Sequence, residues 1–230
     1  MTRDSNVLPR VAERYRPCGH FTYGYVASKL HRDPVLRALL AEPGDFGEVV
    51  DLGCGRGQNG IALLEAGRAR TALGIDYNRA HLETAARAGA GLPFRAVRVN
   101  LAETQTLPPC DTALIIDVLY QLRADAQLQL LRAAARVARQ RLLIRTIDPD
   151  RGFRSTLTLA IERLGRRVSP NSGEGVTVLP ISPLLDAAES ECFKATVKPC
   201  WHGTPFSNVI ISARLLPQGV DESGDIISVP

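Results

Sequence analysis

Val49-Val50-Asp51-Leu52-Gly53-Cys54-Gly55-Arg56-Gly57 sets an apolar run ending in a carboxylate directly against a turn with glycine at every second position. A helical stretch over 60–66 follows it. Strand, tight turn and helix in that order bring backbone N–H groups and the positive end of the helix to one spot. At Gly53 and Gly55, and again at Gly57, no Cβ atom stands between that backbone and a ligand. Any tight strand-to-helix turn favours glycine, so the turn by itself leaves the ligand open.

Outward from this turn, short apolar runs alternate with Ala/Leu/Arg-rich stretches, the pattern of βα units in a mostly parallel sheet. The runs predict strands at 48–52, 71–76, 94–100, 111–117 and 142–148, with helices over 60–66, 79–88 and 124–138 between them. Ahead of the first strand, a helix over 25–40 is interrupted at Asp33-Pro34, and Pro34 suits the first turn of a second helix. After the fifth strand come a helix over 155–164 and the connection Ser169-Pro170-Asn171-Ser172-Gly173-Glu174-Gly175. The chain then reads as a helix over 183–192 and strands at 194–201 and 208–215, whose short link favours an antiparallel hairpin.

These runs are expected to form one domain over 1–216: a helical cap at 1–47, a cofactor-binding core at 48–148, a lid or substrate segment at 149–183, and a terminal helix and hairpin at 184–216. The polar residues 217–230 read as a flexible tail.

Composition narrows the function classes. Of 230 residues, 45% are hydrophobic and 23% charged, the balance of an ordinary globular protein. The 28 basic residues are interleaved with 24 acidic ones for a net +4, which lacks the clustered footprint of a nucleic-acid binder. Lys29, Lys194 and Lys198 are the only lysines, an arginine bias that suggests a GC-rich bacterial genome. Five cysteines without a CxxC pair suggest neither a zinc site nor a disulfide framework and fit a reducing cytoplasm. No run approaches the roughly 18 apolar residues that span a bilayer, and the first residues lack a secretory apolar region.

A second feature matches the glycine turn. Leu73-Gly74-Ile75-Asp76 ends the next strand in a carboxylate 25 residues after Asp51, where it can accept both hydrogen bonds of a ribose diol. Alone, Asp76 would read as the N-cap of the following helix.

With both in place, residues 45–148 resemble the class I S-adenosylmethionine-dependent methyltransferases. The resemblance implies a Rossmann-like, doubly wound, mostly parallel seven-stranded sheet with a C-terminal antiparallel hairpin, and S-adenosylmethionine as cofactor with S-adenosylhomocysteine as product. Asp51, Leu52, Gly53, Cys54, Gly55 and Gly57 match the family's first motif. Asp76 takes the place of the ribose acid, and Tyr77 is available to cover the adenine face. Asn100-Leu101 stand where the family reads the adenine amino group, a place more often held by Asp. Asp117-Val118 fall in the segment beneath the methionine part, with Tyr120-Gln121 in place of the family's usual two histidines. Dinucleotide-binding oxidoreductases carry G-x-G-x-x-G, whereas here Gly57 follows Gly55 after a single residue.

Methyl transfer is an in-line displacement, so the enzyme must align donor and acceptor, exclude water and sometimes remove a proton. Candidates for that last task are His20, Tyr23, Tyr120, Asp148 and His202. Each has a plainer reading. His20 and His202 suit surface histidines, Tyr23 an aromatic anchor for the cap, Tyr120 a half-buried helix-start aromatic, and Asp148 a strand end before Pro149.

A weaker resemblance joins the Tyr23–Pro34 segment and the Trp201–Asn208 loop to methyltransferases of bacterial aryl polyene and xanthomonadin-type pigment clusters. It implies secondary metabolism and a small phenolic or aryl-polyene acceptor, free or bound to an acyl carrier protein. The alternatives are an RNA or protein methyltransferase and a non-catalytic S-adenosylmethionine-binding protein. Asp117-Val118-Leu119-Tyr120 in place of an Asn/Asp-Pro-Pro-Tyr/Phe motif counts against a nucleic-acid substrate.

Overall fold

The computed structural model describes residues 7–104, 106–168 and 175–217. In chain order the elements are α1 (Val7–Glu13), α2 (His20–Arg32), α3 (Val35–Ala41), β1 (Glu48–Leu52), α4 (Gln58–Glu65), β2 (Thr71–Asp76), α5 (Arg79–Ala88), β3 (Phe94–Arg98), β4 (Cys110–Ile116), α6 (Ala124–Val137), β5 (Ala138–Ile147), α7 (Phe153–Val168), α8 (Ile181–Glu189), β6 (Phe193–Pro199) and β7 (Asn208–Leu215). The seven strands form one sheet in the order β3-β2-β1-β4-β5-β7-β6. The first five are parallel, and β7 runs antiparallel to both β5 and β6. This is the Rossmann-like α/β sheet with its terminal hairpin.

Neighbouring residues along the central strands serve opposite faces. Val49, Leu114, Ile116 and Leu143 pack with α1 to α4, while Val50, Leu52, Ala113 and Ile115 pack with α6 and α8. With both faces covered, β1 and β4 read as unbroken apolar runs instead of alternating ones, as buried parallel strands should. Across the sheet β1 stands between β2 and β4, and the connection after β1 runs to β2 on one side while that after β4 runs to β5 on the other. The C-terminal ends of these strands therefore open onto the crevice of a topological switch point.

Several boundaries differ from the sequence reading. The cap begins earlier, with α1 packed on α4 and α2 starting at His20. Asp33 separates α2 from α3, and its Oδ1 accepts the Val35 N–H at 3.0 Å. Pro34 therefore stands just before α3 instead of in its first turn. The strand expected at 94–100 stops at Arg98, because Asn100 turns the chain by accepting the N–H groups of Glu103 and Thr104 on its carbonyl. The helix expected over 155–164 extends to Phe153–Val168. Most of the connection at 169–175 and all but the start of the tail at 217–230 lie outside the described residues. Among the described residues, no helix is long and apolar enough to cross a membrane.

Candidate active site

A cavity of ≈ 220 Å³ lies at the switch point, lined by the turn after β1, the tips of β2 and β4, and the inner face of α2. The turn is closed by its own backbone. Gly53 and Cys54 both donate to the Ile75 carbonyl, at 2.7 and 3.0 Å, which ties the turn to β2. Gly53 has φ 76°, and a Cβ there would lie 2.2 Å from Cγ2 of Val118, so this glycine lets the turn meet the segment after β4. A Cβ at Gly55 would meet open space, leaving that stretch of backbone accessible.

Asp76, at the tip of β2, lines the cavity and is held from two sides. Its Oδ2 accepts the Gly55 N–H and its Oδ1 the Asn78 N–H, each at 2.8 Å. The helix N-cap is Asn78, whose side chain accepts from His81 N–H. Asp76 thus locks the glycine turn and keeps further lone pairs toward the cavity. The Tyr77 ring beside it is half exposed.

Asp51 does not line this cavity. Both carboxylate oxygens are buried without a hydrogen bond of normal geometry, although the Asn59 amide and the Gly60 N–H are near enough to offset part of that cost. Burial first, and the Asp76 charge second, push Asp51 up to about 7.

Asp117 sits at the opposite end, immediately after β4, with φ 61° in a left-handed conformation uncommon for a non-glycine residue. Its Oδ2 accepts from Arg145 Nη1 at 2.7 Å, and its Oδ1 is buried without a partner. The same Arg145 nitrogen donates to Asp33 Oδ2 at 3.0 Å. Burial works against the charge on Arg145, but Asp117 and Asp33 outweigh it and hold the guanidinium ionised. One arginine on β5 thereby joins the cap to the floor of the cavity.

The remaining expected contacts are distributed as follows. Gly53, Cys54, Gly55, Asp76, Tyr77 and Asp117 line the cavity together. Leu52, Gly57 and Val118 are buried in its support, Gly57 against Phe94 and Ala85. Asn100 is exposed beyond β3, its Oδ1 accepting the Ala102 N–H, and Leu101 packs into the apolar layer of α6.

The five proton-transfer candidates are not brought together. His20 and His202 are exposed. Tyr23 is engaged on the outside of the cap, where its hydroxyl contacts Glu13 and Arg16 stacks on its ring. Asp148 closes the start of α7: its carboxylate binds Arg151 and the Asp150 N–H, and its carbonyl accepts from Ser155. Tyr120 is buried, and its hydroxyl faces Glu162 of α7 at 3.5 Å. Glu162 is raised by burial and then by Asp117.

Lys29, Asp33 and His81, which the sequence did not single out for the site, line the cavity, as do Arg56 of the glycine turn and Gln121 beside Tyr120. Arg145 was missed as well, though its signal was present: one arginine inside Leu142-Leu143-Ile144-Arg145-Thr146-Ile147. A charge in a strand buried on both faces needs a partner. No group of metal-ligating residues occurs among the described residues.

Residues 49–141, the turn and the parallel core, match the family described as a methyltransferase domain. The match takes in the glycine turn, Asp76 and Asp117, so the likeness to a methyltransferase domain falls on this cavity. Solved structures of the same fold include magnesium protoporphyrin IX methyltransferase from Synechocystis PCC 6803 with bound SAH, at 19% identity over 89% of this chain and 94% of that one, with a TM-score of 0.62. The pyocyanin biosynthetic protein PhzM superposes with a TM-score of 0.63 at 18% identity, over 84% of this chain and 58% of that one. The [4+2]-cyclase SpnF shares the fold at 16% identity and a TM-score of 0.59, over 79% of this chain and 80% of that one. No curated protein matches the chain by sequence.

The lining of the cavity suits S-adenosylmethionine on its own terms. Three carboxylates, Asp33, Asp76 and Asp117, line it, and the unpartnered Oδ1 of Asp117 offers an acceptor to a donor group. A ligand carrying a ribose diol, an ammonium and a sulfonium matches that set.

Proposed function

We propose that this enzyme transfers the methyl group of S-adenosylmethionine to a small molecule held between α2 and the loop joining β6 to β7. One observation carries the reading. A groove of ≈ 320 Å³, lined by Tyr25, Pro34, Thr204 and Phe206 among others, shares Tyr25, Lys29 and Asp33 with the cofactor cavity. A ligand in either space therefore meets the same three side chains, which is the adjacency that in-line transfer requires. In this reading Asp76 holds the ribose, Tyr77 covers the base, Asp117 receives the amino-acid end, and the cap excludes water.

Two of the three segments expected from the sequence to select the acceptor, 15–34 and 201–208, supply walls of the groove, whereas no described residue of the third, 149–183, lines it. A flat apolar or aromatic acceptor suits Tyr25 and Phe206. The comparisons give the pigment-cluster resemblance no support, and the acceptor is proposed here at the level of that chemistry alone.

The fold is shared by a cyclase, so methyl transfer has to be measured directly. Incubation with S-adenosylmethionine labelled in the methyl group, together with a panel of phenols, aryl acids and their carrier-linked thioesters, should give a labelled small product and stoichiometric S-adenosylhomocysteine. Label found only in RNA or protein added to the same mixture would overturn the small-molecule reading.

A further inference from the structure

We infer that the groove binds its acceptor through a carboxylate, carried on the flat apolar body that the aromatic walls receive. The inference rests on the methyl-transfer reading above and adds to it what the acceptor must carry.

Ser28 and Lys29 stand three and four residues after Tyr25 and four and three before Arg32, so a single face of α2 presents one ring and two cations to the groove. The one carboxylate lining it, Asp33, is already paired with Arg145. The side chains of Lys29 and Arg32 take part in no hydrogen bond or salt bridge among the described residues, and with Arg145 they outnumber Asp33 in the lining, so the wall keeps a positive balance. Arg145 itself is already engaged. Its Nη1 serves both Asp33 and Asp117, and its side chain also bonds the Cys200 thiol, so the wall's available donors are those of Lys29 and Arg32. The exposed Arg32 guanidinium lines the groove with its donors to spare, and a carboxylate matches it by accepting from two of them at once.

The opposite wall is fixed in place. Arg154 Nη1 donates to the Thr204 and Phe206 carbonyls at 3.0 and 3.3 Å, and Arg151 and Arg154 both lie over the Trp201 ring. Phe206 and Tyr25 thus line one groove with the cations Lys29 and Arg32.

The test uses the full chain saturated with S-adenosylhomocysteine and titrated calorimetrically with 4-hydroxycinnamate, its methyl ester and 4′-phosphopantetheine. The acid should bind at least roughly tenfold more tightly than the ester, the scale of one charge-assisted contact. Arg32→Glu should remove that preference while leaving S-adenosylhomocysteine affinity unchanged, because Arg32 lines only the groove. Phe206→Ala should weaken acid and ester alike. Equal binding of acid and ester, competition between the acid and S-adenosylhomocysteine, or displacement of the acid by 4′-phosphopantetheine would each overturn the inference while leaving cofactor binding intact. Failure of S-adenosylhomocysteine itself to bind would overturn the methyl-transfer reading beneath it.

Discussion

Arg145 Nη1 donates to Asp117 Oδ2 at 2.7 Å, and Asp117 is held in the left-handed conformation at φ 61°. An aspartate tolerates that conformation better than most residues but still stores strain, which persists only where the surroundings hold it. Here the ion pair does so, helped by Gln121, whose side-chain amide donates to the Asp117 carbonyl. Arg145→Met should therefore destabilise the protein by about 3–5 kcal/mol, because Asp33 and Asp117 would remain buried without a cation. Urea unfolding measures this. Adding Asp33→Asn to Arg145→Met should recover part of the loss, whereas independent additive losses would show that the two sites are not coupled.

Gly53 carries a different constraint. A methyl group there meets Val118 at 2.2 Å on a backbone with φ 76°, so Gly53→Ala combines left-handed strain with overpacking. The expected cost is roughly 2–4 kcal/mol. Gly55→Ala has the strain, at φ 54°, without the collision, and should cost less stability while obstructing the cavity. Thermal unfolding and S-adenosylhomocysteine titration of the two variants should separate: the first falls mainly in stability, the second mainly in affinity.

The contrast between these glycines and Arg145 shows what was legible in the sequence. Bounds for β1, β2, α5 and β7 could be read from periodicity because each is a short apolar or amphipathic run with a clear stop. Asp76 was found because strand, glycine and carboxylate are local. Asp33 and Arg145 escaped because their meaning is a meeting across 112 positions of chain, and no local pattern records it. The base candidates differ, because their partners are near in sequence. Tyr23 and Asp148 have the right chemistry, but Arg16, Glu13 and Arg151, close by in sequence, occupy them.

Asp76 offers the most direct test of the cofactor site. Asp76→Ala should weaken S-adenosylhomocysteine binding by ~1–3 kcal/mol, the cost of losing a carboxylate that accepts from the ribose. It also strands the Gly55 and Asn78 N–H groups, so stability should drop together with affinity. Asp76→Glu retains the charge but moves it along the strand tip. If both variants fold and bind S-adenosylhomocysteine as the parent does, Asp76 has no part in holding it.

Asp51 should give the protein a pH signature. Its folded value, about 7, lies above the ordinary 3.8, so the folded state binds this proton more tightly than the unfolded chain. The resulting stabilisation is complete below about 4 and is lost as pH rises through about 7. Asp51→Asn cannot ionise, so the stability of the variant relative to the parent should climb between those pH values and level off above them. Cofactor binding should show the opposite dependence. The ionised Asp51 favours a ligand that brings an ammonium group into the adjoining cavity, so affinity for S-adenosylhomocysteine in the parent should rise from pH 6 to pH 8 with release of a proton. Titration in buffers of different ionisation enthalpy measures that proton directly. A parent protein that binds with no proton release, or an Asp51→Asn variant with the same pH slope, would show that this buried carboxylate is not linked to the cofactor.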